Sequence, residues 1–319
     1  AAQPRLRALG LQLFDGGCCH ILSLPPRCHG TQTETSSGYG CSWNSRQSRT
    51  LGGSRLDALQ ETCMRHGQNW PDRLWLVRHG QSQGNVARDA AHEAGLSVID
   101  IDIRDVDVPL SELGRQQAEA TGRWFATLPE VERPEVILSS PYVRARQTAE
   151  AICNAGALVG GPAKSIIDER LREREFGVFD RLTGKGIAEK YPEEAEHRRR
   201  LGKFYHRAPG GESWADVILR LRSVLNTINL HYADRRVLVV CHQVVVLCMR
   251  YILEELDEAE ILAVDKQADI LNCGISAYDF ETDDKGLCMP KLAIWNMGAP
   301  LDAEGTPRTA EPEQMTGTR

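Results

Sequence analysis

Leu74-Trp75-Leu76-Val77-Arg78-His79-Gly80-Gln81-Ser82-Gln83-Gly84-Asn85 is the stretch on which the reading of this chain turns. Four apolar residues in a row fit a strand buried on both faces. A cation, an imidazole and a glycine at its end would stand at the carboxyl edge of a sheet, where open α/β folds collect their ligands. Both Arg78 and His79 are costly to desolvate there, so they suit a phosphate better than a core. Guanidinium grips an anion in bidentate fashion, and a neutral imidazole is a nucleophile. Gly80 lets the backbone approach the anion closely. The same four letters occur earlier as Arg65-His66-Gly67-Gln68, but behind Glu61-Thr62-Cys63-Met64, which is no apolar strand. Asn69 and Asp72 then stand where the later copy has Ser82 and Asn85. An acid at that place would repel phosphate, so the first copy reads as incidental.

Outward from this stretch the apolar pattern alternates between short runs and amphipathic segments. Strands are expected at Leu74–Val77, Glu135–Leu138, Ser165–Ile167 and Arg236–Val240. A hairpin of Cys273–Phe280 and Leu292–Trp295 is expected to turn at Asp283-Asp284-Lys285-Gly286. Helices are expected from a Ser111 cap to about Leu128, over Val143–Asn154, from a Ser213 cap to His231, and over Gln243–Leu253. Strands alternating with helices imply a three-layer α/β/α sandwich whose central sheet is mostly parallel with an antiparallel edge. The main folded domain is placed at 71–300. Residues 1–70 contain no lysine and lack periodicity after Leu24, and read as a disordered extension. Residues 301–319 read as a disordered tail.

The net charge of −6 argues against a general nucleic-acid binder, and no apolar run reaches the ~20 residues of a membrane span. Six of the ten cysteines lie from Cys63 onward at scattered spacings, as free thiols of a cytoplasmic protein do. Cys18, Cys19, Cys28 and Cys41 form no Cys-x-x-Cys pair, and no metal-ligand cluster is evident. Neither a metal nor a cofactor is expected.

Five motifs carry a resemblance to the histidine phosphatase superfamily, the phosphoglycerate-mutase-like proteins. Arg78-His79-Gly80 with Ser82 and Asn85 resembles its Arg-His-Gly-x-Ser-x-x-Asn signature. Pro109-Leu110-Ser111-Glu112-Leu113-Gly114 is similar to its next helix start. Ser139–Ala149 resembles the segment with its second phosphate arginine, which falls on Arg144. Leu171-Arg172-Glu173-Arg174-Glu175-Phe176-Gly177 is similar to the proton-donor segment, and Val239-Val240-Cys241-His242 to the strand ending in its second histidine. The resemblance covers about 73–298. It implies that His79 takes the phosphoryl group, Arg78 and Arg144 clamp its oxygens, protonated His242 donates to it, and Glu173 protonates the leaving group. Asn85 would orient the phosphate, and Arg174 would contact substrate or pair with an acid.

Tyr191-Pro192-Glu193-Glu194 and Lys203–Ser213 resemble the domain that hydrolyses fructose 2,6-bisphosphate, as does Gln243 after the second histidine. Tyr191, Arg207 and Gln243 thereby join the substrate-binding candidates. Gly210 and Leu247 depart from that pattern by lacking its cations, and residues 1–70 carry no P-loop. Arg88–Asp107 departs from the mutases, while Arg198-Arg199-Arg200 reads either as substrate arginines or as a solvated helix face. The expected activity is hydrolysis of a small phosphate monoester through a phosphohistidine. A mutase would use the same residues. A non-catalytic phospholigand-binding module would be expected to have lost His79 or Glu173. A phosphorylated small molecule is the expected partner, a homodimer is left open, and neither nucleic acid nor membrane is expected.

Overall fold

In the computed structural model the residues described are 70–160, 164–267, 269–282 and 288–310. The extension at 1–69, the earlier Arg-His-Gly copy, the 283–287 turn and residues 311–319 lie outside them.

The leading stretch forms β1 (Arg73–Arg78), with Leu74 through Val77 wholly buried. It lies at the centre of a six-stranded sheet with β2 (Val136–Ser139), β3 (Ile166–Ile167), β4 (Arg236–Cys241), β5 (Ile275–Thr282) and β6 (Cys288–Met297). The order is β3-β2-β4-β1-β5-β6. The first four strands in that order are parallel, and β5 is antiparallel to both β1 and β6. The continuous apolar run has a simple cause: alternate residues feed opposite layers. Leu74 and Leu76 join Val237 and Val239 against Trp214, Leu221 and Met249 on one side. Trp75 and Val77 join Leu238 and Val240 against Phe125, Ala149 and Ile152 on the other.

The helices are α1 (Gln83–Glu93), α2 (Glu112–Thr127), α3 (Val143–Asn154), α4 (Gly184–Lys190), α5 (Pro192–Tyr205), α6 (Trp214–His231), α7 (Gln243–Leu253), α8 (Glu258–Gln267) and α9 (Ala299–Ala303). Helices α2 and α3 cover one face of the sheet, and α6, α7 and α8 the other. Ser111 and Ser213 cap α2 and α6 as their sequences suggest. Ser82 and Asn85 form a reciprocal capping box that starts α1.

Two expectations need correction. The hairpin strands run further than their apolar cores, because β6 pairs with β5 along Cys288–Met297 through alternating half-exposed residues. Residues 301–310 are not a loose tail. Leu301 is wholly buried, and the strap behind it bonds through Thr309 to Asn272 and Gln117. Its Pro, Gly and Thr content masked a segment held by backbone groups rather than by an apolar face. No helix among the described residues is long and apolar enough to cross a membrane.

Candidate active site

Parallel pairing places Arg78 beside Cys241, so the residues that follow, His79 and His242, leave adjacent strand ends together. The His79 amide donates to the Cys241 carbonyl at 2.9 Å, and the Ser140 amide donates to that of Val240 at the end of β2. The two imidazole centroids are 5.1 Å apart. His79 Nδ1 donates to the Gly80 carbonyl at 2.7 Å, which fixes the tautomer and leaves Nε2 with its lone pair. Arg144 Nε donates to that Nε2 at 3.3 Å from the first turn of α3. Burial, then Arg144 and Arg78, hold the His79 imidazole well below the ordinary histidine range. It is therefore neutral near pH 7.

Arg78 is fully buried beneath the two histidines and donates to the Ile270 carbonyl at 2.5 Å. Burial pushes its pKa down to about 9, with Glu173 opposing the shift, so the guanidinium keeps its charge at neutral pH. Burial lowers His242 well below its usual range as well, with Arg144 and His79 adding to it. The expected protonated His242 is thus neutral before any anion enters. Ser140 Oγ sits 2.8 Å from its Nε2, while Nδ1 is buried 3.7 Å from Glu173 Oε2 without a hydrogen-bond partner. A dianionic phosphate is the charge that would reverse this shift.

Glu173 lies between short turns at Glu169–Leu171 and Gly177–Phe179. Burial raises its pKa, opposed first by the Arg174 amide, which donates to Oε1 at 2.7 Å. A raised pKa is the direction a carboxyl needs if it is to protonate a leaving group. Its segment is held from behind by Glu212, which takes Arg220 on both oxygens at 3.0 Å and Arg172 at 2.6 Å. Arg220 also donates to the carbonyls of Arg170 and Glu173.

His79, Arg144, Glu173, Asn85, Arg174 and Gln243 all line one cleft of about 250 Å³. The Asn85 side-chain oxygen accepts from the Ser82 amide at 2.9 Å, so this residue acts in the helix cap while facing the cleft. Gln243 Oε1 and Arg174 Nε are buried there without hydrogen-bond partners. Tyr191 and Arg207 do not belong to the wall. Tyr191 packs against the Phe179 ring, and the exposed Arg207 pairs with Asp216. Local similarity to the bisphosphatase pattern did not carry which way these side chains turn.

Lys203 and Asp105 were missed, and Arg198 was left between two readings. Arg198 and Lys203 line the cleft, whereas Arg199 and Arg200 pair with Glu196 outside, so the arginine run is half site and half surface. Lys203 sits 2.6 Å from Asp265, and burial pushes its pKa down to about 8. Asp105 holds Arg144 through both carboxylate oxygens, at 3.0 and 3.2 Å. Nothing in the spacing of Arg88–Asp107 marks that acid, since 39 residues separate it from Arg144.

The sequence profile of the histidine phosphatase superfamily (branch 1) matches residues 74–289, and the chain belongs to that family. Among its relatives, 6-phosphofructo-2-kinase/fructose-2,6-bisphosphatase of Gallus gallus is 31% identical over 189 residues. That match covers 59% of this chain and 34% of the relative, so the chain spans about a third of that protein. A probable phosphoglycerate mutase of Photorhabdus laumondii is 29% identical over 215 residues, covering 66% of this chain and 85% of its own. Among solved structures, a mycobacterial glucosyl-3-phosphoglycerate phosphatase superposes with a TM-score of 0.53 at 27% identity, covering 70% of this chain and 99% of its own.

Proposed function

We propose that this protein hydrolyses a small phosphate monoester through a phosphohistidine intermediate. The observation that carries the proposal is the His79 imidazole, neutral and tautomer-fixed by its 2.7 Å bond to Gly80, with its Nε2 lone pair held only by a 3.3 Å bond from Arg144, a guanidinium an incoming phosphate can claim. In the first step Nε2 forms a bond to phosphorus while the ester P–O bond breaks, and the alkoxide takes the Glu173 proton. In the second, water adds to phosphorus as Glu173 takes its proton, the P–N bond breaks, and inorganic phosphate leaves. Arg78 and Arg144 hold the phosphoryl oxygens throughout, with His242 donating to them once the anion is bound.

The wall beyond this centre suggests the leaving group. Ile99, Ile101 and Phe179 offer apolar contact, whereas Arg174, Arg198 and Lys203 favour a substrate with a second acidic group. The named phosphatase and mutase relatives act, by their names, on phosphates of sugar acids, which fit that description.

The test is a panel of phosphate monoesters and phosphoglycerates with wild type and His79→Ala. Labelled phosphate is expected on wild type after acid-free quenching, with inorganic phosphate as the product. His79→Ala should lose both the label and at least about 10³-fold in kcat, the scale on which loss of a nucleophile acts. Transfer of the label to a second sugar acid faster than to water would make the protein a mutase. An unlabelled wild type that binds phosphoesters without turnover would make it a binding module.

A further inference from the structure

One cluster behind the cleft, of which only His206 reaches the wall, has no part in phosphoryl transfer. Glu194 and His197 stand one turn apart on α5, and His206 follows the end of that helix. Glu194 Oε2 lies 3.4 Å from His206 Nε2 and 4.0 Å from His197 Nδ1. All three donor atoms fall within 4.8 Å of one another. The two imidazoles meet edge to face with centroids 5.7 Å apart.

These separations are long for a charged hydrogen bond, which settles near 2.7–2.9 Å. They approach the roughly 3.3 Å between two donors of a tetrahedral shell with bonds of about 2.0–2.1 Å. We propose that Glu194, His197 and His206 bind a transition-metal dication of the zinc class, with water in the remaining position. Two imidazoles and one carboxylate suit zinc, cobalt or nickel rather than calcium or magnesium, which prefer oxygen throughout.

The surroundings support both halves of that claim. His206 is buried, and its ring stacks on Phe179 with an interplanar angle of 5°, so packing fixes the direction of Nε2 before metal arrives. His197 is more than half exposed and gives the ion a route from solvent. Three ligands with Arg198 close to His206 make this a weaker site than a four-ligand structural one.

The position in the chain gives the site a consequence. Helix α5 is broken at Gly202, where φ is +79° and ψ 164°. Two ligands precede the break and one follows it. A bound ion therefore cross-links the two arms across the kink, and with them Arg198 and Lys203 on the cleft wall. It touches no reacting atom, so its effect is to set the shape of the wall.

The test uses the full chain stripped of metal, titrated with Zn²⁺ by calorimetry and with Co²⁺ by visible absorption. One equivalent of Zn²⁺ and the visible bands of tetrahedral Co²⁺ are expected. The exposed His197→Ala and the conservative Glu194→Gln should each weaken Zn²⁺ binding at least tenfold and remove the bands. Both are chosen because His206→Ala removes a buried ring and can unfold the segment. Binding below half an equivalent would overturn the proposal. So would binding unchanged in both variants, and so would thiolate-to-cobalt charge-transfer absorption, which would assign the ion to the cysteines at 18–41. The readout is metal binding, so it stands or falls separately from the phosphatase reading.

Discussion

At the scale of the residue, the site is a set of charges held against their ordinary preferences. His79 is kept neutral by burial and two guanidinium groups, while burial raises the pKa of Glu173 above the ordinary carboxyl value. Glu173→Gln preserves the shape but removes the proton. It should slow alkyl phosphates by about 10²–10⁴-fold and an activated aryl phosphate far less, in parallel kcat measurements. Equal losses on both would move the acid role to another group, with Glu175 first in line. The same variant should melt higher at pH 7.5. A carboxyl whose folded pKa is raised favours folding below its ordinary value of 4.5, and that advantage is lost as pH rises through the folded pKa. A glutamine never incurs that loss. Asp105 presents a second residue-scale test, because it occupies the Arg144 guanidinium that a phosphate would need. Asp105→Asn should tighten inhibition by vanadate or inorganic phosphate roughly fivefold, the equivalent of about 1 kcal/mol of relieved competition. Unchanged inhibition would mean that the anion enters without displacing the acid.

At the scale of the element, what matters is how closely backbones meet beneath the nucleophile. Helix α2 begins against the loop that follows β1, where the Ser111 amide donates to the Gln81 carbonyl at 2.9 Å. A Cβ on Gly114 would stand 1.9 Å from that same carbonyl oxygen, with backbone on both sides and no flexible atom to yield. Gly114→Ala should therefore destabilise by about 1–3 kcal/mol, the usual range for overpacking. It should also cut kcat by displacing Gly80 and His79, and thermal melts with phosphatase assays would measure both. A variant with wild-type melting and activity would show that the two elements can separate freely. The Glu212–Arg220 pair does the matching work on the other side, since it ties α6 to the segment that carries Glu173.

At the scale of the whole molecule, the buried imidazoles link stability to pH. His79 and His242 both have depressed folded-state pKa values, so the unfolded chain binds protons more readily. Their contribution to stability is fully present above the ordinary histidine pKa of about 6.5 and is lost as pH falls below it toward the folded values. The melting temperature should drop between pH 7.5 and 5.5, and the drop should shrink in His242→Gln. A flat profile over that interval would mean that neither ring is held neutral. Bound phosphate should reduce the slope, because an anion favours protonated His242 in the folded state. The C-terminal strap belongs to this scale too. Thr309 holds Asn272, and Asn272 donates to the His79 carbonyl at 3.1 Å, so residues far apart in sequence share one support.

The sequence by itself determined the strands, because an apolar run buried on both faces has few other readings, and β1 and β4 stand where Leu74–Val77 and Arg236–Val240 placed them. Resemblance to the family's motifs, rather than periodicity, singled out Arg78, His79, Arg144, Glu173 and His242, and of these His79, Arg144 and Glu173 line one cleft. Tertiary structure alone decided which of the remaining polar residues face inward. Arg198 lines the cleft while Arg199 and Arg200 pair with Glu196 outside it, and Tyr191 and Arg207 are taken up by Phe179 and Asp216. Asp105 reaches Arg144, and His206 reaches Glu194, through contacts whose partners lie tens of residues apart or across a kink. Local periodicity reports which face of an element is apolar. It carries no information on which polar side chains from different elements meet, and that meeting is what makes a site.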